Sequence, residues 1–332
     1  MNIVKHIQAW STAGVIAAAV WGAGSDVLAA GVRGKITVDG SSTVYPITEA
    51  VAEEFGNENR NVRVTVGVSG TGGGFKRFVV GETDISNASR PIKAKEAAAA
   101  KDNGVAFIEL PVAYDGLTIV VNNDNTWCKS LTVDDVKKMF RDGSNVKTWK
   151  DVNAEWPQTP IKFFIPGTDS GTFDYFKEVV AGEKGGIRSD VSVSEDDNVL
   201  VRGVSGDKGA IGFFGCAYYF ANKEKLRAVA IDGGKGPVTP DVKTISDGSY
   251  APFSRPLFIY VNAVAAKRSE VSAFVQFYLE NAPELVNDVK YVPLPKEIYE
   301  RVSNNFEKGR RGTQFLNDKG ENLHGALADI YK

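Results

Sequence analysis

The stretch KITVDGSSTVYP, residues 35–46, carries the clearest structural signal in this sequence of 332 residues. Lys35–Asp39 has the β-branched pattern of a short strand, and Ile47–Asn57 places apolar side chains on one face of a helix. Between them, Gly40 is followed by three consecutive hydroxyl side chains. A helix N-terminus in this position would offer free backbone N–H groups to an anion. Helix capping is the alternative interpretation, although a cap needs one hydroxyl and not three.

The alternation of short β-rich runs with helical stretches continues along the chain and predicts an α/β fold. The predicted elements include the strand Val105–Leu110 and the helices Gly74–Val80 and Glu270–Glu280. Two predicted strands, Leu117–Val121 and Leu257–Val261, are each followed by polar turn residues and are candidates for crossings between two lobes. The predicted organisation is therefore lobe 1 from residues 31–117 plus 260–332, with residues 118–259 inserted as lobe 2.

Three further loops combine hydroxyl groups, glycines and charge. Val68–Lys76 holds four glycines, which let the backbone approach a ligand closely, but it lacks the Gly-Lys-Ser/Thr ending of a P-loop. Asp84–Pro91 places Ser89 beside Arg90, whose guanidinium matches the geometry of a phosphate. Pro166–Phe173 lies between a predicted strand and a predicted helix. A ligand that touched all four loops would lie in a cleft between two lobes.

Asp169 adds a carboxylate to a loop whose other groups suit an anion. A carboxylate repels an anion unless that anion carries a proton. In that case the carboxylate accepts the hydrogen bond and discriminates against a fully ionised anion such as sulfate. A helix N-cap is the structural alternative, and the residues leave both roles open.

Charge and composition narrow the classes of function. Lys and Arg total 39 against 41 Asp and Glu, which gives a formal net charge of −2. Nucleic-acid-binding proteins typically carry an excess of positive charge, so this composition does not indicate that class of function. Two cysteines and two histidines cannot build a zinc cluster at short spacing. We therefore predict no metal, no cofactor and no catalytic residue. A Cys128–Cys216 disulfide is chemically possible in an exported protein, but we favour two separate thiols.

Residues 1–30 have the pattern of a secretory signal peptide. Lys5 supplies the positive start, residues 13–23 an apolar core, and residues 27–30 the small side chains of a cleavage site near Ala29/Ala30. The apolar run is shorter than the ~20 residues of a membrane span. An uncleaved membrane anchor is the alternative to export.

As a set, four segments resemble the periplasmic phosphate-binding protein of ABC-type phosphate importers: Asp39–Pro46, Ser69–Gly74, Ala88–Ile92 and Asp169–Thr172. The similarity runs over roughly residues 35–330. It implies a type II periplasmic-binding-protein fold, in which two α/β lobes joined by two hinge strands have the ligand cleft between them. It also implies a periplasmic, non-catalytic and monomeric receptor that captures inorganic phosphate, delivers it to an ABC permease in the inner membrane and binds no nucleic acid.

The resemblance also implies which residues bind the phosphate. Carried over by position, the ligands are Ser42, Thr43, Gly72, Arg90, Ser170, Gly171 and Thr172. Ser69, Ser89 and Asp169 from the same loops complete the candidate phosphate site.

The charged residues depart from the family's pattern, in which an arginine and an aspartate precede the Ser-Gly-Thr and an aspartate follows the Ala-Ser. Here Arg90 follows the Ala-Ser. The carboxylate that accepts the phosphate proton is therefore open, with Asp169 ranked before Asp115 and Asp84. The rival functions are a secreted phosphatase-like hydrolase, a receptor for sulfate, molybdate or tungstate, and an adhesive or sensory protein that reuses the fold.

Overall fold

A computed structural model describes residues 32–168, 170–182, 184–194, 196–323 and 325–332. The predicted signal peptide and Asp169 lie outside the described residues. The elements in chain order are β1 (Gly34–Gly40), α1 (Tyr45–Glu58), β2 (Val62–Val66), α2 (Gly70–Phe78), β3 (Ile85–Ala88), α3 (Ala94–Asp102), β4 (Phe107–Asn122), β5 (Ser130–Thr132), α4 (Val133–Phe140), α5 (Trp149–Val152), β6 (Lys162–Pro166), α6 (Gly171–Ala181), β7 (Ser192–Ser194), α7 (Asp197–Ser205), β8 (Ala210–Gly215), α8 (Cys216–Phe220), β9 (Leu226–Ala228), β10 (Ala230–Asp232), β11 (Pro237–Val238), α9 (Val242–Ser246), β12 (Ser254–Asn262), a 3₁₀ helix (Ala265–Lys267), α10 (Ser269–Asp288), α11 (Lys296–Glu307) and α12 (Leu327–Ile330).

One sheet runs through the molecule in the order β2-β1-β3-β12-β4-β8-β6-β7, with β9 also paired to β4. On one side of the sheet β1 is parallel to β2 and β3, and on the other β6 is parallel to β7 and β8. The two parallel halves meet at β12 and β4, which are antiparallel to each other and to their outer neighbours. The α/β prediction is confirmed. Val32–Lys332 forms one compact unit, so the predicted lobe boundaries stay predictions.

β4 passes from one half of the sheet to the other. It is 16 residues long and buried throughout. Its first part, to Gly116, pairs with β12, and its second part, from Leu117, pairs with β8 and β9. The sequence predicted two strands here, Val105–Leu110 and Leu117–Val121, and that division is wrong. The strand continues past Pro111 because the β4–β12 register shifts there and forms a bulge, which is a place where a strand tolerates proline.

Two helices extend beyond their predicted limits. α2 begins at Gly70 and not at Gly74, so the predicted glycine-rich loop is largely the first turn of a helix. α10 was expected to end at Glu280, before Pro283, but it continues to Asp288. The buried side chains of Ala282 and Val286 hold the turn around that proline against the core.

The remaining differences concern short elements. The sequence did not predict β5, β7, β11, α5, α8, α9 or α12, which have two to five residues each and therefore no periodic pattern to recognise. Cys128 and Cys216 are both buried, free thiols, as interpreted from the sequence. Across the described ranges, we find no helix with the length and apolar character needed to cross a bilayer.

Candidate functional site

The N-termini of α1 and α6 meet directly. Thr43 Oγ1 donates to the carbonyl oxygen of Gly171 at 3.4 Å, and Ser42 Oγ donates to Asp174 Oδ2 at 3.4 Å. A Cβ atom on Gly171 would lie 2.5 Å from Thr43 Oγ1 and 2.7 Å from its Cα, so this approach requires glycine. Two candidate loops that are 128 positions apart in sequence are therefore in contact.

Two cavities flank this contact. Cavity 1, of about 290 Å³, is lined by Ser41–Thr43, Gly70–Gly72, Ser89, Arg90 and Arg255, together with one side of α6. Cavity 2, of about 390 Å³, is lined by residues that include Ser42, Asp115, Ser170–Thr172, Tyr218 and Lys290. Ser42 lines both cavities.

Most of the predicted ligands therefore come together, but on two sides of the Thr43–Gly171 contact. Thr43, Gly72, Ser89 and Arg90 border cavity 1, whereas Ser170–Thr172 borders cavity 2. Ser69 borders neither cavity. Asp169 lies outside the described residues, so its predicted role stays a prediction.

The Ser69 side chain has a structural partner. Its Oγ donates to Asp39 Oδ2 at 3.0 Å, and Arg77 Nη1 lies 2.6 Å from the same oxygen. The other carboxylate oxygen of Asp39 accepts from the backbone N–H of Gly40 at 2.8 Å. Asp39 is buried at the end of β1, so it ties the first loop to the start of α2.

Arg90 borders cavity 1 in a bidentate ion pair with Glu96. Its Nη2 lies 2.7 Å from Oε1 and its Nη1 lies 2.9 Å from Oε2. The guanidinium is also 5.4 Å from the centroid of the Phe75 ring. Burial is the largest single influence and acts to lower the pKa of Arg90, but the hydrogen bonds and charge of Glu96, with the charges of Glu178 and Tyr260, together hold that pKa above its ordinary value. Glu96, the partner that orients this arginine, was not predicted from the sequence.

A second arginine of the site, Arg255, was also not predicted from the sequence. Its Nη2 donates to Thr43 Oγ1 at 3.4 Å, and its Nε lies 3.5 Å from Asp115 Oδ2. Its guanidinium carbon is 3.6 Å from the centroid of the Tyr175 ring, and its Nη1 lies 3.4 Å from Glu178 Oε2. Arg255 is only 12% exposed, so four groups hold it at the edge of cavity 1.

A repeated tripeptide in the sequence could have identified Arg255. Arg90 lies in Ser89–Pro91 and Arg255 in Ser254–Pro256, and both segments read Ser-Arg-Pro. The two segments are far apart in sequence, but β12 is antiparallel to β3, the strand that ends just before Ser89. The pairing of these strands brings both arginines to cavity 1.

The carboxylates considered for the phosphate proton have different environments. Asp115 is 1% exposed, lines cavity 2 and pairs with Arg255. Burial raises the pKa of Asp115, and the positive charge of Arg255 opposes that rise. Asp84 instead accepts from the backbone N–H of Thr37 at 2.9 Å and pairs with Arg268 at 2.9 Å, and it borders neither cavity.

The arrangement is suited to holding an oxyanion. α1, α2 and α6 have 14, 9 and 11 residues, and the N-terminus of each carries about half a positive elementary charge and backbone N–H donors. At α6 the N–H of Thr172 is bonded to the Ser170 hydroxyl at 3.2 Å, so Ser170 caps this helix. Hydroxyl groups and two guanidinium groups stand beside these termini. Within the described ranges, no three side chains of His, Cys, Asp or Glu are grouped so as to bind a metal ion.

Comparison with known proteins adds independent findings. A family model described as a PBP superfamily domain matches residues 28–282. Protein SphX of Synechococcus elongatus is 50% identical over 304 residues, which cover 90% of this chain and 89% of that protein. The phosphate-binding protein PstS of Staphylococcus saprophyticus is 43% identical over 269 residues, which cover 80% of this chain and 82% of that protein.

Solved structures agree with these matches. The crystal structure of a possible phosphate-binding protein from Planctomyces limnophilus is 46% identical with a TM-score of 0.81, over 84% of this chain and 99% of that one. An ABC-type phosphate transport receptor from Vibrio cholerae has 23% identity and a TM-score of 0.64, over 78% of this chain and 100% of that one, and shares the fold.

Proposed function

Because this chain belongs to the PBP superfamily, we propose that it is a receptor that binds inorganic phosphate and delivers it to an ABC importer. Its type II periplasmic-binding-protein fold, with two α/β lobes, confirms the fold predicted from the sequence. Two relatives with 43% and 46% identity carry names that refer to phosphate binding. The observation that carries the proposal is the contact of Thr43 with Gly171, which joins the N-termini of α1 and α6 beside Arg255.

Phosphate would bind through hydrogen bonds from both sides of that contact. Ser42, Thr43, Gly72, Ser89 and Arg90 border one side, and Ser170–Thr172 borders the other. We add Arg255 to this set and leave out Ser69, whose hydroxyl is hydrogen-bonded to Asp39.

Both arginines of the site already have carboxylate partners. Arg90 pairs with Glu96, and Arg255 pairs with Asp115. Arg255 also pairs with Glu178, so neither arginine contributes a net positive charge, and the helix N-termini and hydroxyl groups would supply much of the attraction for the anion. A receptor must also release its ligand, and an oxyanion held mainly by neutral dipoles leaves more readily than one held by unpaired cations.

We propose Asp115 as the carboxylate that recognises protonated phosphate. It is buried and lines the same cavity as Ser170–Thr172. An ionised carboxylate accepts a hydrogen bond from the P–OH group of phosphate, whereas sulfate at neutral pH has no proton to donate. Asp169 remains the alternative that the sequence analysis placed first, and Asp84 has other partners.

The same proposal includes the cellular setting. The chain would be exported by the segment 1–30, with cleavage near Ala29/Ala30, and would act in the periplasm as a monomer without a cofactor and without nucleic acid. Its protein partner would be an ABC permease of the inner membrane. It would bind phosphate without catalysing a reaction, since its relatives are named as binding proteins.

An anion panel tests the function. The mature chain, freed of bound phosphate, is titrated calorimetrically with phosphate, sulfate, molybdate and tungstate, and its melting temperature is measured with each. We expect phosphate to bind and to raise the melting temperature, because a ligand at 100 times its Kd stabilises by about 2.7 kcal/mol. Binding of another oxyanion in preference to phosphate would overturn the proposal, and so would steady release of phosphate from an ester.

A further inference from the structure

A third cavity lies beside a small second sheet, in which β10 is parallel to β5 and antiparallel to β11. Cavity 3, of about 590 Å³, is lined by residues of these three strands, of α4 and α5, and of the segments before β5 and after α5. None of its lining residues borders cavity 1 or cavity 2. Cavity 3 is therefore separate from the proposed phosphate site, and what it binds does not depend on the proposed function.

Two tryptophans form the aromatic part of the lining. Trp127 and Trp156 both pack edge-on against Trp149, with ring centroids 6.0 Å and 5.7 Å from its own. Trp149 is fully buried, and its Nε1 donates to the carbonyl oxygen of Gly209 at 3.0 Å, so it is a fixed support. Lys208, which does not line the cavity, places its ammonium group 5.6 Å from the Trp127 ring centroid. Trp127 and Trp156 are only half-buried, so each keeps indole surface that can pack against an apolar face of a ligand.

Two carboxylates in the lining are oriented through one oxygen each. Asp135 Oδ2 accepts from the backbone N–H of Thr132 at 2.9 Å and from its hydroxyl at 2.6 Å. Asp232 Oδ1 accepts from the backbone N–H groups of Gly234 at 2.8 Å and Gly236 at 3.0 Å. Among the residues that the structure describes, the second oxygen of each carboxylate has no hydrogen-bond donor and neither aspartate has an ion-pair partner. Two preoriented carboxylates thus retain an acceptor for a ligand.

The rest of the lining supplies donors and apolar contacts. Exposed side chains provide an ammonium, a hydroxyl and an amide group, from Lys129, Ser130 and Asn153. The apolar members are Leu131, Val152 and Pro237. An inorganic anion would be repelled by the two carboxylates, and a purely apolar molecule would leave the polar groups without partners. A sugar ring matches the lining, because its hydroxyl groups both donate and accept hydrogen bonds and its C–H faces pack on aromatic rings.

We propose that cavity 3 binds a pyranose ring of a neutral oligosaccharide. The indole rings of Trp127 and Trp156 would contact the C–H surface of the sugar. The second carboxylate oxygens of Asp135 and Asp232 would accept hydrogen bonds from its hydroxyl groups, and the Asn153 amide would donate to them. The carboxylates outnumber the single lysine of the lining, so the cavity disfavours acidic sugars.

The tryptophans of the chain give a direct readout of this binding. The predicted signal peptide contains Trp10 and Trp21. The tryptophans of the mature chain are therefore Trp127, Trp149 and Trp156, and the indole N–H signals in its NMR spectrum report on this cluster. The mature chain is titrated separately with maltotriose, cellotriose and chitotriose. We expect at least one of the three to shift the signals of Trp127 and Trp156 saturably.

Two variants and a matched control locate the site. Ser130→Phe fills the cavity from an exposed position at the start of the short strand β5, where an aromatic side chain is well tolerated. Trp156→Ala removes one of the two stacking surfaces. Ser192→Phe is the control, because Ser192 is exposed at the start of the equally short strand β7 and borders none of the three cavities. Should Trp156→Ala fail to fold, Ser130→Phe still tests the site.

Each variant in the cavity should weaken binding of the sugar at least tenfold and change phosphate affinity less than twofold, whereas Ser192→Phe should change neither. The absence of a saturable shift with all three oligosaccharides would overturn the inference and leave the proposed function standing. Unchanged sugar affinity in Ser130→Phe would overturn it as well, because the sugar would then bind elsewhere. Saturable shifts with the polyamine spermidine and with none of the sugars would show instead that the tryptophans and carboxylates select an organic cation.

Discussion

Asp115 and Arg255 are direct cross-strand partners at the point where β4 leaves β12 and joins the other half of the sheet. One residue further along β4, Gly116 still pairs with β12, and from Leu117 onward the partner strand is β8. The ion pair therefore lies where the chain crosses between the two halves. An oxyanion that bound Arg255 would contact the segment where the chain passes from one half of the sheet to the other.

Replacing Arg255 with alanine should weaken phosphate binding at least a hundredfold. The change removes a guanidinium that contacts Thr43 and leaves the buried Asp115 carboxylate without its cation, so a negative charge would face the anion. Calorimetric titration measures the loss. Arg268→Ala is the control, because Arg268 pairs with Asp84 and Glu270 and borders none of the cavities. Equal affinities in the Arg255 variant and the unaltered protein would remove Arg255 from the site.

Asp115→Asn should narrow the preference for phosphate over sulfate. An ionised carboxylate accepts the hydrogen bond of a protonated phosphate and repels sulfate, whereas an amide can also donate to sulfate. Competition of the two anions for the same site gives the ratio of their dissociation constants, which we expect to shrink at least tenfold. Asp84→Asn, made at a carboxylate outside the cavities, should keep the ratio unchanged. If Asp115→Asn leaves the ratio of the two dissociation constants unchanged, another carboxylate recognises the phosphate proton.

Gly171→Ala should reduce phosphate affinity more than tenfold. The added Cβ would lie 2.5 Å from Thr43 Oγ1 and would force the N-termini of α1 and α6 apart. The hydrogen-bond donors at these two helix ends could then no longer bind the same anion. Gly56→Ala is the matched control: it lies inside α1, where an added Cβ meets nothing within 4 Å. It should leave affinity unchanged and stabilise the fold by up to about 1 kcal/mol. Normal phosphate affinity in Gly171→Ala would show that the contact is dispensable.

Local patterns were sufficient to predict the strand–loop–helix units around Ser42 and Ser170, because strand, loop and helix are adjacent in sequence in each of them. The hydroxyl and glycine content of these loops predicted that they would present donors. The family resemblance predicted that Thr43 and Gly171 bind the same ligand, and the structure brings these two residues into contact.

Properties that depend on distant pairing could not be predicted in the same way. Arg255 reaches the site because β12 pairs with β4, and its partner Asp115 is 140 positions away. The continuity of β4 past Pro111 depends on a bulge in the same pairing. Arg90 was identified, but its bidentate bond to Glu96 depends on how the start of α3 folds back toward the loop.

Glu109 should make the stability of the protein depend on pH. It is buried at 3% exposure in β4, where its carboxylate accepts hydrogen bonds from Tyr260, Thr313 and the backbone of Gln314. Burial raises the pKa of Glu109 to about 7, and these hydrogen bonds only partly oppose the rise. The unfolded chain has the ordinary, lower pKa. At a pH between these two pKa values, the folded protein therefore keeps a proton on Glu109, whereas the unfolded chain has released it.

The stabilisation from this proton is complete below the unfolded pKa and is lost as the pH rises through about 7. The free energy of unfolding from urea titrations should therefore fall between pH 5 and pH 8, by an amount on the order of 3 kcal/mol from this group. Glu109→Gln has no proton to lose and should show a flatter profile. Glu284→Gln, at an exposed position in α10, should reproduce the slope of the unaltered protein. Parallel profiles for the unaltered protein and Glu109→Gln would contradict the raised pKa.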